Sequence, residues 1–244
     1  MSDADCQQII SAWERGRGAP GHERALLLAE LALGGEADLA SLPIGARDHA
    51  IAEHRIGRRG PIAQASMVCP ACSEGMEFRV DFAQVCGLGC ERSSGPRVLE
   101  HEGFVVRFRL PSTADLRAIA ERERSGGSGR ALLIERIVVG CERLGDRSSA
   151  SALPESVIAA LEAEIERLDP ISDIRFTQAC PACEHRFVAP FDVARFCWQE
   201  LEVDARRLLQ EVDALASSYG WTEAEILALS RTRRQTYLEI RGLT

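Results

Sequence analysis

One tetrapeptide occurs twice in this chain, and no other feature limits its folding as tightly. Cys69-Pro70-Ala71-Cys72 and Cys180-Pro181-Ala182-Cys183 stand 111 positions apart, and Asp81, Ala83 and Cys86 after the first align with Asp192, Ala194 and Cys197 after the second. This is an internal repeat. Two thiolates two residues apart supply half of a tetrahedral structural zinc site, and the tight turn between them aims backbone amides at the sulfurs. The completion that follows joins Cys69, Cys72, Cys180 and Cys183 in one four-cysteine zinc site, with roughly 100 residues looped out between the halves. Segments with strand character flank each pair: Ile62 to Val68 and Met76 to Val80 around the first, Ile171 to Ala179 and Arg186 to Val188 around the second. Strand, knuckle, strand is the plan of a zinc-ribbon hairpin, so two such hairpins sharing one ion are expected.

Other readings of the cysteines compete with this one. A redox CxxC follows a strand and opens a helix, whereas these pairs are followed by strands. Adding Cys86 and Cys90 to the first pair would make a local site, but the repeat places Cys90 opposite Leu201. Cys86 and Cys197 fall where apolar residues start a helix and read as buried free thiols. The roles of Cys86, Cys90 and Cys197 stay open. A glycine soon after the second cysteine would ease the turn; instead Ser73-Glu74-Gly75 and Glu184-His185-Arg186 follow. His185 is a substitute ligand by position.

Composition narrows the classes. All 29 residues counted as Lys+Arg are arginine, which excludes a Schiff-base or phosphate-loop lysine. A net charge of -8 disfavours nonspecific nucleic-acid binding. No apolar run approaches the roughly 20 residues of a membrane span. The start, Met1-Ser2-Asp3-Ala4-Asp5, lacks the basic and apolar parts of a signal peptide, so nine cysteines point to a reducing cytoplasm and to metal rather than disulfides.

Taken in order, an N-terminal helical region covers residues 1–60. Cys6 to Arg15 and His22 to about Leu33 have helical spacing, the second apolar on most faces. A third helix after Leu42-Pro43 carries His49 and His54, read as solvated because no carboxylate pattern accompanies them. Residues 61–111 and 170–191 form the composite zinc-ribbon and sheet region. Within it Gly87 to Arg97 reads as a loop and Val98 to Leu110 as a hairpin turning at Glu102-Gly103, with Phe104, Val106 and Phe108 on one face. Residues 112–169 read as a helical insert: a helix capped by Ser112 or Thr113, a flexible Ser125 to Gly129 stretch, and helices from Ala131 to Leu144 and Pro154 to Leu168.

Residues 192–244 form the C-terminal helical region, opening with a long helix from about Asp192 to Tyr219. Ala194, Trp198, Leu201, Ala205, Leu208, Val212, Leu215 and Tyr219 recur at steps of four and three, the seam of a helix packed lengthwise on others. Thr222 and Glu225 have capping-box spacing, and a last helix carries Arg231, Arg233, Arg234 and Tyr237. The fold class expected is α+β, mostly helical, with two zinc-ribbon-like β hairpins joined by one four-cysteine site, a helical insert and a long C-terminal helix.

Several stretches resemble a family of zinc-knuckle proteins encoded with contractile phage tails and phage-tail-like injection systems, related to T4-type baseplate hub and hub-assembly proteins. These are Leu42-Pro43-Ile44-Gly45-Ala46-Arg47-Asp48, Phe104 to Leu116, Pro190-Phe191-Asp192, and the tail from Tyr219-Gly220-Trp221 to Leu229 with Arg233 to Glu239. The resemblance implies a baseplate structural or assembly protein. Its partners would be other baseplate and hub subunits, its zinc would be architectural, and it would carry no catalytic residues, small-molecule substrate, nucleic acid or membrane. It would be made in the cytoplasm and could enter a phage-tail-like particle. The alternative is a zinc ribbon that binds nucleic acid through Arg231 to Arg234. An enzyme is the weakest reading, because four thiolates leave a zinc ion no open position.

Overall fold

In the computed structural model, which describes residues 3–35, 38–93 and 95–243, the chain is α+β with small antiparallel sheets. Met1 and Ser2 of the N-terminal reading and Ser94 of the expected loop lie outside the described residues. The chain divides into two units, one formed by Met1–Leu31 with Ala194–Thr244 and the other by Ala32–Val193. This division cuts across the expected regions, because the first two helices belong with the C-terminal ones and the third does not.

The first unit is helical. Helix α1 (Asp3–Gly16) buries Cys6, Ile9, Ile10 and Ala12, and α2 (Gly21–Leu33) buries Ala25, Leu28 and Ala29. Gly16 has to lack a side chain, since a Cβ there would come 2.1 Å from the Trp198 indole. The long helix α8 (Val193–Tyr219) buries Ala194, Trp198, Leu201, Ala205, Leu208 and Leu215, so the seam read from the sequence is a packed face. Helices α9 (Glu223–Leu227) and α10 (Arg231–Ile240) close over its end, with Leu215, Ile226 and Leu238 in one cluster. Tyr219 stacks on Trp221 at 4.6 Å and Tyr237 meets both edge-on. Gly220 takes φ +67 to end α8, and the Thr222–Glu225 capping box starts α9 as expected.

A buried charge also belongs to this unit. Arg234, 1% exposed, donates from Nε to Glu211 Oε2 at 2.8 Å and from Nη2 to Cys6 Sγ at 3.6 Å. It ties α10 to α8 and α1.

The second unit starts with α3 (Ile44–Arg59). Two separate hairpins follow the duplicated pattern, β1 (Ile62–Val68) with β2 (Gly75–Asp81) and β7 (Ile174–Ala179) with β8 (Arg186–Phe191). A short helix α4 (Phe82–Gly87) succeeds the first, capped by Asp81, which accepts from the Ala83 and Gln84 N–H groups. Residues 171–173, expected to be strand, instead form a 3₁₀ turn (Pro170–Asp173), as Pro170 with no N–H to donate would predict.

Between the hairpins lies a four-stranded sheet in the order β3 (Arg97–His101), β4 (Phe104–Phe108), β5 (Val138–Arg143), β6 (Asp146–Arg147). Glu102 and Gly103 turn β3 into β4 with φ of 49 and 76, the left-handed pair that matches strand twist. Here one helix of the expected insert is corrected. Helix α6 (Gly129–Ile137) stops seven residues earlier than read, because Val138-Val139-Gly140 pairs β-branched residues with a helix breaker. The segment then runs extended along β4, with Val139 as an extra residue opposite the step from Arg107 to Phe108. Phe104, Val106 and Phe108 pack with Ile134, Ile137, Val157 and Leu161 of α6 and α7 (Glu155–Leu168). The Ser125–Gly129 stretch is a corner between α5 (Thr113–Arg124) and α6, with Ser128 accepting from the Ala131 N–H.

Two of the short stretches that carry the resemblance meet in one buried polar junction of this unit. Pro43 bridges Ser112, the Ile44 N–H donates to the Pro111 carbonyl at 3.0 Å, and Arg47 donates to Thr113 Oγ1 at 2.8 Å and to Asp48 at 2.7 Å. Asp169 accepts from the Gly45 N–H at 2.9 Å, so close that a Cβ on Gly45 would collide with the carboxylate. Asp115, fully buried, accepts from Arg109, Arg136, the Ser112 N–H and the Ser112 hydroxyl, completing the capping box of α5.

Burial pushes the Asp48 carboxyl up to about 6, against the opposing pull of Arg47. Unfolded, it titrates near about 3.9. Between those values the folded chain holds a proton that the unfolded chain has released, so this group's contribution to stability falls as pH rises through the window and is level above it. Asp48→Asn is expected to remove that slope, on the order of 2–3 kcal/mol across the window. Urea midpoints of the two proteins, compared from about pH 4 to 7, measure it, and parallel curves would refute it.

Candidate metal centre

Each knuckle is closed by the same backbone bonds. The Cys69 N–H donates to the Glu74 carbonyl at 2.9 Å and the Ser73 N–H to the Cys69 carbonyl at 2.9 Å; the Cys180 N–H donates to the His185 carbonyl at 3.0 Å and the Glu184 N–H to the Cys180 carbonyl at 2.9 Å. The turn demands a left-handed residue after the second cysteine, and Ser73 (φ 62) and Glu184 (φ 58) supply it. The glycine that the sequence lacked is therefore missing at a position that favours it, while the knuckle geometry is kept. Replacing Ser73 and Glu184 together with glycine is expected to raise thermal stability modestly, since the left-handed conformation costs an ordinary residue roughly 1 kcal/mol. A lower melting temperature in the double variant would contradict this.

The two hairpins bring Cys69, Cys72, Cys180 and Cys183 together, with their sulfurs all within 4.8 Å of one another. Cys69 Sγ lies 3.7 Å from Cys183 Sγ, and Cys72 Sγ lies 3.6 Å from Cys180 Sγ. A tetrahedral ion with metal–sulfur bonds of about 2.3 Å needs its sulfurs about 3.8 Å apart, so the donor set fits such an ion in number, type and spacing. The first cysteine of each knuckle is buried, Cys69 at 1% and Cys180 at 2%, while Cys72 and Cys183 are exposed. Met76 and the partly buried Met67 and Phe187 pack around the inner pair.

Beyond the thiols, aromatic rings join the hairpins. Phe78 meets Phe176 edge-on at 5.9 Å, and Phe191 extends the contact to Phe176 at 5.5 Å and Phe82 at 6.0 Å. The repeat explains the fit. Phe78 sits opposite Ala65 in one hairpin and Phe176 opposite Ala189 in the other, so the large and small positions are exchanged between the copies.

Electrostatics favour a cation here. Burial pushes the Cys69 thiol up, but the Cys72 and Ala71 N–H groups and the neighbouring thiols outweigh it and bring it down to about 7. The Glu74 N–H pulls the Cys72 thiol down, yet Cys183, burial, Cys180 and Cys69 carry it up to about 12. The His185 N–H and Cys72 draw Cys183 down, and burial with Cys180 and Cys69 leaves it raised. Four sulfurs this close cannot all ionise unaided, and a divalent ion would supply the compensating charge.

The other candidates stay outside this cluster. Cys86 and Cys90 are half-buried free thiols raised by burial, and Cys197 is buried in α8. His185 is exposed, stacks on Phe187 at 6.0 Å, and contributes its backbone carbonyl to the turn. His49 and His54 are not solvated as expected. His49 is 12% exposed in its side chain with Nδ1 3.3 Å from Glu53, a carboxylate four residues along the same helix that the sequence reading overlooked, and His54 is half-buried.

Fold and site together define the class as an α+β protein with a four-cysteine centre able to hold a metal ion. No protein-family model, curated protein or solved structure matches the chain. No described helix is long and apolar enough to cross a membrane.

Proposed function

We propose that this chain is a structural or assembly protein of a contractile-tail or injection-system baseplate, in which zinc serves as an architectural clasp. The observation that carries the clasp is the gathering of four sulfurs from two hairpins far apart in the sequence of one unit. With every tetrahedral position taken by protein, the ion has no place for substrate or water, and its binding free energy goes into folding. The baseplate role is supported by the resemblance of Leu42 to Asp48 and Phe104 to Leu116, whose side chains build the junction beside Asp115, and of the tail whose rings pack at the end of α8. The long C-terminal region would then grip neighbouring subunits. Burial of Arg234 against Glu211 removes one arginine from the basic set that a nucleic-acid reading needs.

Elemental analysis of the purified chain tests the clasp, with about one zinc per protein expected for a single four-ligand site. Co-expression with sheath, tube and hub subunits of a contractile system, followed by affinity purification, tests the baseplate role. Failure to co-purify with any of them, in a protein that holds its metal, would sink that role and leave the clasp.

A further inference from the structure

Backbone pairing in the first hairpin leaves one edge of β1 open. The Phe82 N–H donates to the Pro61 carbonyl at one end of the ladder, and the Cys69 N–H donates to the Glu74 carbonyl at the other. Bonded pairs alternate along an antiparallel ladder, so Ala63, Ala65 and Met67 bond to β2, while Ile62, Gln64, Ser66 and Val68 point their N–H and C=O groups away from it. The Ile62 carbonyl is taken by Arg55 Nη2 at 3.3 Å. Among the described residues nothing bonds to the backbone of Gln64, Ser66 or Val68, whose side chains are exposed, Val68 at 63%.

The other edges of the two hairpins are blunted. The same alternation, counted from the bond between Cys180 and His185, turns Arg175 outward on β7 and Arg186 and Pro190 outward on β8; β2 turns out Glu77, Arg79 and Asp81. Charges and proline at such positions oppose the addition of a further strand. The β1 edge has neither, and β1 is the one described strand with no charged residue. An uncharged edge offers no counter-ion to a charged newcomer, which would lose its hydration without compensation. The strand that fits is therefore equally uncharged, and β1 itself answers that description.

We propose that Gln64–Val68 is the interface between two copies of this chain, which join β1 to β1 antiparallel across a two-fold axis at Ser66. Such pairing is self-complementary. Ser66 faces Ser66 of the second copy and Gln64 faces its Val68, each pair exchanging two N–H···O bonds. The exposed Val68 gains a covering neighbour, and on the inner face the partly buried Met67 comes to lie beside Ala65 of the second copy. Glu77 and Arg79 stay on the outer strands of the resulting four-stranded sheet, parted by two uncharged ones. The contact is short, which makes the dimer a dissociable one. Nothing in this inference depends on the baseplate role.

Sedimentation of the full chain, from micromolar to near-millimolar concentration, tests it; the mass is expected to rise from 26.7 kDa toward twice that. Amide exchange at Gln64, Ser66 and Val68 should slow over the same range, while Ala65 and Met67, bonded within the hairpin, stay protected throughout. Ser66→Lys and Ser66→Glu each set like charges opposite one another and should raise the dissociation constant about fivefold or more. Mixed together, the two variants should associate at least as tightly as the original chain. Ser66 is exposed and its N–H takes no part in the hairpin, so both variants should keep the original melting temperature. A monomer at every concentration overturns the proposal, as does a dimer that the single variants leave intact or one whose slowed amides lie elsewhere. A chain that is monomeric alone, and gains protection at Gln64, Ser66 and Val68 only among sheath, tube or hub subunits, gives the edge to another strand; that overturns the dimer while sparing the baseplate role.

Discussion

Cys180→Ser is expected to lose its metal and unfold both hairpins, although only one of them carries the change. The buried thiol sits 3.6 Å from Cys72 and within 4.8 Å of every other sulfur of the cluster. Three remaining thiolates hold a tetrahedral ion far more weakly. A structural zinc site supplies about 10–16 kcal/mol to small metal-dependent folds, of which losing one ligand forfeits a large part. In practice zinc content should drop from about one per chain to near zero. Amide exchange in β1 and β2, far from residue 180 in sequence, should accelerate along with that in β7 and β8. If exchange quickens only in the hairpin that bears the substitution, the halves are independent and the shared centre is wrong. The same variant of Cys86 or Cys90, outside the cluster, serves as the control.

Asp115→Asn comes next in size. The carboxylate has no exposed surface and accepts from two arginines, a backbone N–H and a hydroxyl, contacts that outweigh the upward push of burial and hold its proton affinity well below the usual carboxylate range. Asparagine keeps the shape but removes the charge, leaving Arg109 and Arg136 without their shared counter-ion. Because Arg109 and Arg136 are partly exposed, water recovers part of the loss, and the cost is about 1.5–3 kcal/mol. The loss should be full near neutral pH and shrink only in strong acid, where the native carboxyl itself becomes protonated. Urea denaturation at neutral pH checks the magnitude, and a change within about 0.5 kcal/mol would mean that Asp115 is an ordinary surface cap.

How much of this was legible beforehand depends on the range of the interaction. The knuckle cysteines, the β1 limits, the Glu102-Gly103 turn and the seam of α8 were readable because each is written in a short local pattern, and the repeat of that pattern pointed to the gathering of the four sulfurs. The end of α6 was not. Val138, Val139 and Gly140 weaken the helix locally, but the segment becomes a strand only because the edge of β4 is there to pair with, 30 to 39 positions away. The polar junction was equally hidden. Arg47, Asp48 and Asp169 look like surface charges until α3, α5 and the Asp169 turn are brought together. The His49 contact is legible locally, since Glu53 stands at i+4 on the same helix.

The position of the two half-sites has a bearing on how the chain is made. Cys72 and Cys180 lie 108 positions apart, so at roughly 5–20 residues per second of synthesis the first knuckle leaves the ribosome about 5–20 s before its complement exists. On the reading of the centre as a metal site, it is throughout that interval half a donor set with no partner of its own. On a crowded message, the nearest matching pair belongs to the neighbouring nascent chain, and an ion captured between the two would staple unfinished molecules together. On that reading, correct assembly is a race between translation and metal encounter, won most surely where free metal is scarce.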